Sequence, residues 1–314
     1  MGARRSSRKG SLAFRPRKRA ETQMPRIGHW PTSTERRLLG FAAYKAGMTS
    51  VAYIDDSTSP NAGNEIVGAA TILEVPAMTV YGIRGMKFGQ VVADEIVDDQ
   101  KLLNDISLKL KKKNKLESKD ISDVFILAFT HPDKTGFGKK KADKMMIAVG
   151  GKDAADKLEY ARTLLGKEVK ASDAFKPGEF VDAVSITKGK GWQGTVKRFN
   201  THQQRRKATG KRRHIGTLGP WHPGYVFYTV PHPGQMGYHK RTEINKRILK
   251  FVTPEEVNPS GGFPHYGLVK NECLLMVGSL GGPQKRLVRL RKAARTSAAP
   301  KTPDVRMISR LSKN

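Results

Sequence analysis

The chain has 314 residues, 38% hydrophobic and 27% charged, with 58 Lys and Arg against 28 Asp and Glu for a formal charge of +30. That length suffices for about two domains with a sizeable core. The longest apolar run, Val124 to Phe129, falls far short of the roughly 18 residues that cross a bilayer, and the basic start Arg4, Arg5, Arg8, Lys9 leads into no apolar signal segment. One cysteine, Cys273, excludes an internal disulfide and a thiolate zinc set, which fits a reducing cytoplasm.

After a basic arm, Leu38 to Ile54 (LLGFAAYKAGMTSVAYI) mixes small, aromatic and β-branched residues around Gly47, and predicts two strands joined by a turn there. A second β-rich stretch runs from Ile66 through Val75 to Ile83, broken by Pro76. Leu102, Leu103, Ile106 and Leu110 recur at helical spacing, Val124 to Phe129 reads as a buried strand, and Ala154 to Leu165 predicts a helix ended by Gly166. Strand character returns at Phe180 (FVDAVSITKGKG), continues at Tyr225 to Val230, and closes with Tyr266 to Val269 and Cys273 to Val277. A β body interrupted by an α/β insertion is the simplest arrangement.

The excess charge is not spread evenly. Residues 1 to 40 hold 11 basic and 2 acidic side chains, residues 188 to 250 hold 15 and 1, and residues 283 to 314 hold 10 and 1. The other 179 residues carry 22 basic and 24 acidic groups, so they read as ordinary globular material. Most of the basic stretches lack apolar periodicity and are expected to order against an external polyanion. Nucleic acid is favoured over a membrane, because no segment pairs a wide apolar helical face with a basic one.

Gly189, Gly191 and Gly194 in GKGWQG match the spacing of a dinucleotide loop, but no amphipathic helix is predicted after them, and Lys211, Arg212, Arg213 and His214 stand where a ribose-binding acid belongs. Those glycines are better read as allowing close backbone approach to another surface, with Lys188 and Lys190 beside it to meet phosphate. Between Lys197 and Arg213, eight of 17 residues are basic. Trp221 and His222 follow in a Gly/Pro-rich turn, which suits an aromatic loop tip that stacks among bases better than a core position. His222, His232 and His239 lack cysteine or acidic partners at metal spacing, and no nucleophile constellation is visible. Asp94, Glu95, Asp98 and Asp99 read as a solvated turn. No cofactor, metal or catalytic residue is expected; an RNA-modifying enzyme with a nucleotide at GKGWQG and a DNA-compacting protein are the rival readings.

The passages TKGKGWQGTVKRF, HIGTLGPWHPGYVFYTV and GQMGYHKRTEINKRI, with GFAAYKAGMT near the start and GSLGGPQKRLVRLR near the end, resemble the universal large-subunit ribosomal protein L3 family. RKGSLAFRPRKR and the pair Trp30, Pro31 point to its archaeal and eukaryotic type. The matches run in family order from about residue 8 to 310. The resemblance implies a mainly β fold with an α/β insertion: a six-stranded, translation-factor-like β-barrel (38–75 and 176–282), an inserted α/β domain (76–175), and long basic extensions that thread through RNA. Those are an N-terminal extension (1–37), an internal one at about 195–240, and a C-terminal basic segment (283–314).

Its implied role is that of a structural constituent of the cytoplasmic large subunit, supporting assembly, with rRNA and neighbouring ribosomal proteins as partners and neither a membrane nor a small-molecule substrate. Residues expected to contact rRNA are Arg4, Arg5, Arg8, Lys9, Arg15, Arg17, Lys18 and Arg19 in the arm, and Lys188, Lys190, Lys197, Arg198, Arg205, Arg206, Lys207, Lys211, Arg212 and Arg213 in the internal stretch. Further along they are His239, Lys240, Arg241, Lys246, Arg247, Lys285 and Arg286. Trp221 and His222 would form a loop tip near the peptidyl transferase centre. Gln235 matches the position at which bacterial members carry a methylated glutamine; the archaeal-type match does not by itself extend the modification to this chain.

Overall fold

The computed structural model describes residues 9–109, 115–295 and 301–311. In chain order the elements begin with β1 (Gly40–Ile54), β2 (Glu65–Glu74), β3 (Met78–Lys87), β4 (Gln90–Ile96), α1 (Gln100–Asp105), β5 (Asp123–Thr130), β6 (Lys144–Ala148) and α2 (Ala154–Leu164). Next come β7 (Glu168–Val169), α3 (Ala171–Ala174), β8 (Phe180–Ile186), β9 (Trp192–Gln193), α4 (Thr195–Phe199) and β10 (Gly234–Gln235). The chain finishes with β11 (Lys240–Val252), α5 (Pro254–Val257), β12 (Cys273–Val277), β13 (Leu287–Lys292) and β14 (Val305–Ile308). Strands dominate, as the β-rich stretches predict. The chain divides into two units: Met1–Thr22 with Ile186–Lys240, and Gln23–Ser185 with Arg241–Asn314.

In the larger unit, hydrogen-bonded pairing runs β13-β8-β11-β12-β2-β1 and returns from β1 to β13, so six strands form a closed ring and β14 adds to the far half of β1. Closure removes exposed strand edges. The long β1 makes it possible: Gly40–Tyr44 pair with β13, Val51–Tyr53 pair with β14, and the opposite edge pairs with β2. Gly47 is therefore no turn. The strand runs straight through it, with a register shift between Lys45 and Gly47, and a Cβ at Gly47 would lie 2.6 Å from the Phe263 ring. Glycine serves close packing here.

A second sheet, β4-β3-β5-β6 with β7 on β3, lies within residues 78–169. Its side chains Val80, Ile83, Val124 and Ile126 join the same buried cluster as Phe41, Ile72, Leu274 and Val288 of the ring. Helix α2 contributes Leu158 and Ala161 to that cluster, and Gly166 follows it with φ +77°. A smaller cluster of Tyr81, Leu103, Ile106, Leu127 and Phe129 packs α1 on this sheet. The helix predicted from Leu102 onward is only one and a half turns long; Ile106 caps it, and Leu110 lies outside the described residues.

Two predicted strands are not strands. In place of a strand, Tyr266 and the following Lys270 and Asn271 serve Glu74, whose buried carboxylate accepts from the Tyr266 hydroxyl, from Asn271 Nδ2 at 2.7 Å, and from the N–H groups of Asn271 and Lys270 at 3.0 and 3.1 Å. Val269 N–H and C=O bond to the Asn258 side chain instead of a ladder. Tyr225 to Val230 has β-propensity but no partner strand among the described residues, and Tyr225, Val226, Phe227 and Tyr228 are exposed.

The acidic run also differs from expectation. Asp94 and Glu95 sit on β4, where Asp94 holds Arg84 through 2.6 and 2.8 Å contacts and Glu95 holds Arg162 at 3.0 Å, while Asp99 caps α1. The Asp94 carboxylate beside it raises the Arg84 guanidinium above its ordinary value.

Nor are all basic stretches unstructured. Leu287–Lys292, within the segment expected to be a C-terminal extension, is a ring strand, and β11 carries Lys240–Val252 into the ring. Arg289 is buried and donates to the carbonyls of Pro25 and Met146; Arg247 forms a two-pronged pair with Asp56 at 2.5 Å. That pairing holds the Asp56 carboxyl below its usual range.

Candidate nucleic-acid interface

The smaller unit holds 19 Lys and Arg against one carboxylate, Glu21. Its ordered part is tied by backbone contacts that glycines permit. β9 pairs antiparallel with β10, placing Trp192 opposite Gln235, and Lys190 and Met236 donate to Met236 and Gly191 carbonyls at 2.9 Å. Gly237 has φ +71°, and a Cβ there would lie 2.1 Å from the Lys188 carbonyl oxygen, so only glycine fits. Part of GKGWQG thus packs on GQMG of its own chain, while a Cβ built at Gly191 or Gly194 would meet nothing within 4 Å. A helix does follow that loop, but α4 has only five residues.

The N-terminal arm joins this core. Ala20 N–H donates to the Tyr238 carbonyl at 2.9 Å, and buried His239 contacts the Lys18 carbonyl through Nδ1 at 2.9 Å while its backbone exchanges bonds with Thr187. Arg198, on α4, is the central tie: Nη1 donates to the His232 carbonyl at 2.8 Å, Nε to that of Gln235 at 3.0 Å, and Nη2 to that of Arg17 at 3.3 Å. Burial, and then the neighbouring Arg15 charge, lower the Arg198 pKa from its ordinary value. The Gln235 amide donates to the Gly237 carbonyl at 3.0 Å.

Between Asn200 and His232 the backbone is irregular. A return contact from Gln204 N–H to the Arg212 carbonyl at 2.8 Å folds the loop on itself, leaving Arg205, Arg206, Lys207, Lys211, Arg212 and Arg213 exposed. Trp221 is 89% exposed in the turn from Leu218 to Val226, beside exposed His222. An indole that exposed buries no core surface.

The remaining sequence-predicted residues fall into distinct settings. Lys18, Arg19, Lys188, Lys190, Lys197, Lys240 and Lys285 are exposed; Lys9, Arg15, Arg17, Arg241 and Arg286 are half-buried. Lys246 pairs with Glu243 at 3.1 Å, and Arg247 is committed to Asp56. Arg4, Arg5 and Arg8 lie outside the described residues. Arg198 and His239 are tied to protein carbonyls from distant positions.

Sequence reasoning passed over three aromatic residues. Trp192 is 76% exposed on β9, Tyr228 is 70% exposed, and Phe199 is buried under the guanidinium groups of Arg15, Arg17 and Arg198. For Phe199 the signal available in sequence was an aromatic residue directly following the basic pair Lys197, Arg198. Among the described residues, no group of three His, Cys, Asp or Glu side chains forms a cation site, and no helix is long and apolar enough to cross a membrane.

The family model described as ribosomal protein L3 matches residues 1–113 and 90–310. The chain belongs to the ribosomal protein L3 family. Among its L3 relatives, the large ribosomal subunit protein uL3 of Methanobrevibacter smithii is 46% identical over 329 residues, covering 98% of this chain and 97% of the relative. The uL3 of Methanocaldococcus jannaschii is 45% identical over 325 residues with the same coverage, and that of Archaeoglobus fulgidus is 43% identical over 311 residues, covering 93% of each. These matches make it an L3 of the archaeal type, and L3 is a family of ribosomal proteins, not of enzymes.

Proposed function

We propose that this L3 is a structural constituent of the large ribosomal subunit that binds large-subunit rRNA, supports subunit assembly, and reaches toward the peptidyl transferase centre with Trp221 at the tip of its internal extension. The observation that carries this reading is an indole 89% exposed on a loop of a unit with 19 basic side chains and a single carboxylate. Such a loop gains nothing from self-burial, and phosphate supplies the missing counter-charge. An aromatic tip then stacks on, or props, unpaired bases, which is how proteins read irregular RNA.

Contacts with phosphate fall to the exposed cations Lys18, Arg19, Lys188, Lys190, Lys197, Arg205, Arg206, Lys207, Lys211, Arg212 and Arg213, with Arg4, Arg5, Arg8 and Lys9 in the arm and Lys240, Arg241, Lys285 and Arg286 beyond it. Neighbouring ribosomal proteins complete the set of partners, in the cytoplasm. The closed ring of six strands supports a translation-factor-like barrel, and the second sheet with α1 and α2 supports an inserted α/β domain at 76–175. Peptide-bond chemistry belongs to the RNA in this reading, which needs no cofactor. Crosslinking the protein within isolated large subunits and mapping the RNA positions tests it: adducts of Trp221 with nucleotides at the peptidyl transferase centre are expected, and adducts confined to the subunit surface would overturn the placement of the loop.

A further inference from the structure

The hairpin that joins β3 to β4 turns through only two residues, Phe88 and Gly89, because Lys87 pairs with Gln90 and Met86 with Val91. Both turn residues have positive φ, +49° and +78°. Asn-Gly and Gly-Gly turns adopt that conformation without strain, and a bulky L-residue rarely does. Phe88 nevertheless stands there with 90% of its surface exposed, and Val91 and Val92 just beyond it are exposed as well. The fold gains nothing from an aromatic held in a costly conformation against water. Backbone outliers of this kind, and exposed apolar patches, gather where a surface meets a ligand.

A cavity of about 810 Å³ lies beside the turn, within the larger unit, and Gly89 lines it. Its apolar wall comes from Met86 of β3, Phe125 of β5, Ala148 of β6 and Trp30 of the segment before β1. The charges around it are already matched: Asp123 pairs with Lys157 at 3.3 Å, Glu35 with Arg37 at 3.1 Å, and Lys292 donates to Ser33 Oγ at 3.4 Å. Residues 78–169 hold 18 Lys and Arg against 14 Asp and Glu, where the smaller unit holds 19 against one. Carboxylates at the rim and a nearly balanced charge disfavour phosphate. They suit polypeptide, whose interfaces are built around buried aromatic and Met side chains. Phe88, Val91 and Val92 offer an apolar patch on the order of a few hundred Å², well below the roughly 1,200 Å² of a stable free complex. The contact is therefore one made inside an assembly that other contacts hold, not a free pairing of two copies.

We propose that the β3–β4 turn and this cavity dock an extended segment of a neighbouring ribosomal protein, Phe88 packing on the segment while one of its large apolar side chains enters the cavity. The proposal rests on the reading of this chain as a constituent of the large subunit, and names a surface outside its basic unit that meets protein instead of RNA.

A photoreactive benzophenone side chain placed at position 88 of the full chain, assembled into large subunits and irradiated, tests the surface. Nuclease and protease digestion followed by mass spectrometry identifies what is joined to it. One ribosomal protein, joined through a single peptide, is expected. Thr34→Trp narrows the cavity from an exposed lining position, and should lower the yield of that adduct about fivefold or more, the loss that follows when an anchoring side chain is displaced. Adducts with rRNA, adducts with a second copy of this chain, or no adduct would each overturn the proposal. A protein adduct indifferent to Thr34→Trp would overturn the role of the cavity. Melting of the isolated chain guards against a structural explanation: Phe88→Asn should leave the melting temperature unchanged or raise it, because Asn tolerates positive φ, and a marked fall would make Phe88 part of the fold. Failure of the unlabelled chain to enter large subunits would instead sink the reading on which the proposal rests.

Discussion

The carboxylate of Asp182, fully buried on β8, grips the guanidinium of Arg291 on β13 through Nε at 3.1 Å and Nη2 at 2.8 Å. Its other oxygen accepts the Asn245 N–H of β11 at 3.0 Å. One side chain therefore ties three neighbouring strands of the ring at the point where β8 links β13 to β11. Removing one partner of such a pair leaves the other's charge buried and unmatched. Asp182→Ala is expected to cost about 3 to 5 kcal/mol in urea unfolding, and Arg291→Met at least as much, since it leaves the fully buried Asp182 carboxylate without its counter-charge. Equal stability of Asp182→Ala and wild type would mean that the pair contributes nothing to the closed ring.

Trp221 gives the opposite expectation. With almost no surface buried, Trp221→Ala should leave the melting temperature of the isolated protein nearly unchanged, where a core tryptophan would cost about 3 to 5 kcal/mol. Ribosomes carrying the variant should instead change in aminoacyl-tRNA accommodation or in sensitivity to peptidyl transferase inhibitors, because a stacked aromatic contributes about 1 to 3 kcal/mol per base. Marked destabilisation with normal accommodation would remove Trp221 from the functional residues.

Neutralising Lys197, Arg205, Arg206 and Lys207 together should weaken rRNA binding and reduce the log-log salt slope by about 3, since each phosphate contact releases about 0.7 to 0.9 counterions. All four are exposed. Arg198, their neighbour in sequence, belongs to a different experiment: Arg198→Ala removes donors to three carbonyls and should raise hydrogen exchange around Gln235 and the arm at Arg17, even without RNA.

His131 supplies a pH dependence. Its ring lies half-buried, with Nε2 2.7 Å from Thr79 Oγ1 and the Phe129 ring 4.9 Å away; burial, and then Lys134, hold its pKa below the ordinary value. The unfolded chain, titrating near pH 6.5, then binds more protons than the folded one just below that pH. Stability from this group is present above about pH 6.5 and is lost as pH falls through the lowered folded value. Urea unfolding between pH 7.5 and 5 should show a slope, no steeper than about 1.4 kcal/mol per pH unit, that His131→Gln flattens. An identical slope in the variant would assign the dependence to other groups.

Much of this molecule is legible along the chain. β-Rich patterning marks β2, β3, β5, β8 and β12, which are apolar runs buried along much of their length, and the helical spacing from Ala154 marks α2, which buries Leu158 and Ala161. Charge asymmetry likewise isolates residues 188 to 250, of which the stretch to Lys240 belongs to the smaller unit. β11 and β13 were hidden by their lysines and arginines. Their basic side chains are accommodated in the ring by carboxylates and carbonyls far away in sequence: Asp56 for Arg247, Asp182 for Arg291, Pro25 and Met146 for Arg289.

The same distinction governs the interface. By composition and spacing, Arg198 and Arg205 are equivalent members of one basic run, and only the tertiary structure separates a cation spent on His232, Gln235 and Arg17 from one left to solvent. Sequence fixes how many charges there are and roughly where they sit, since that is a matter of counting. Whether a given guanidinium meets water, phosphate or its own chain depends on which distant acceptors lie within about 3 Å of it, and that is decided only when the chain closes on itself.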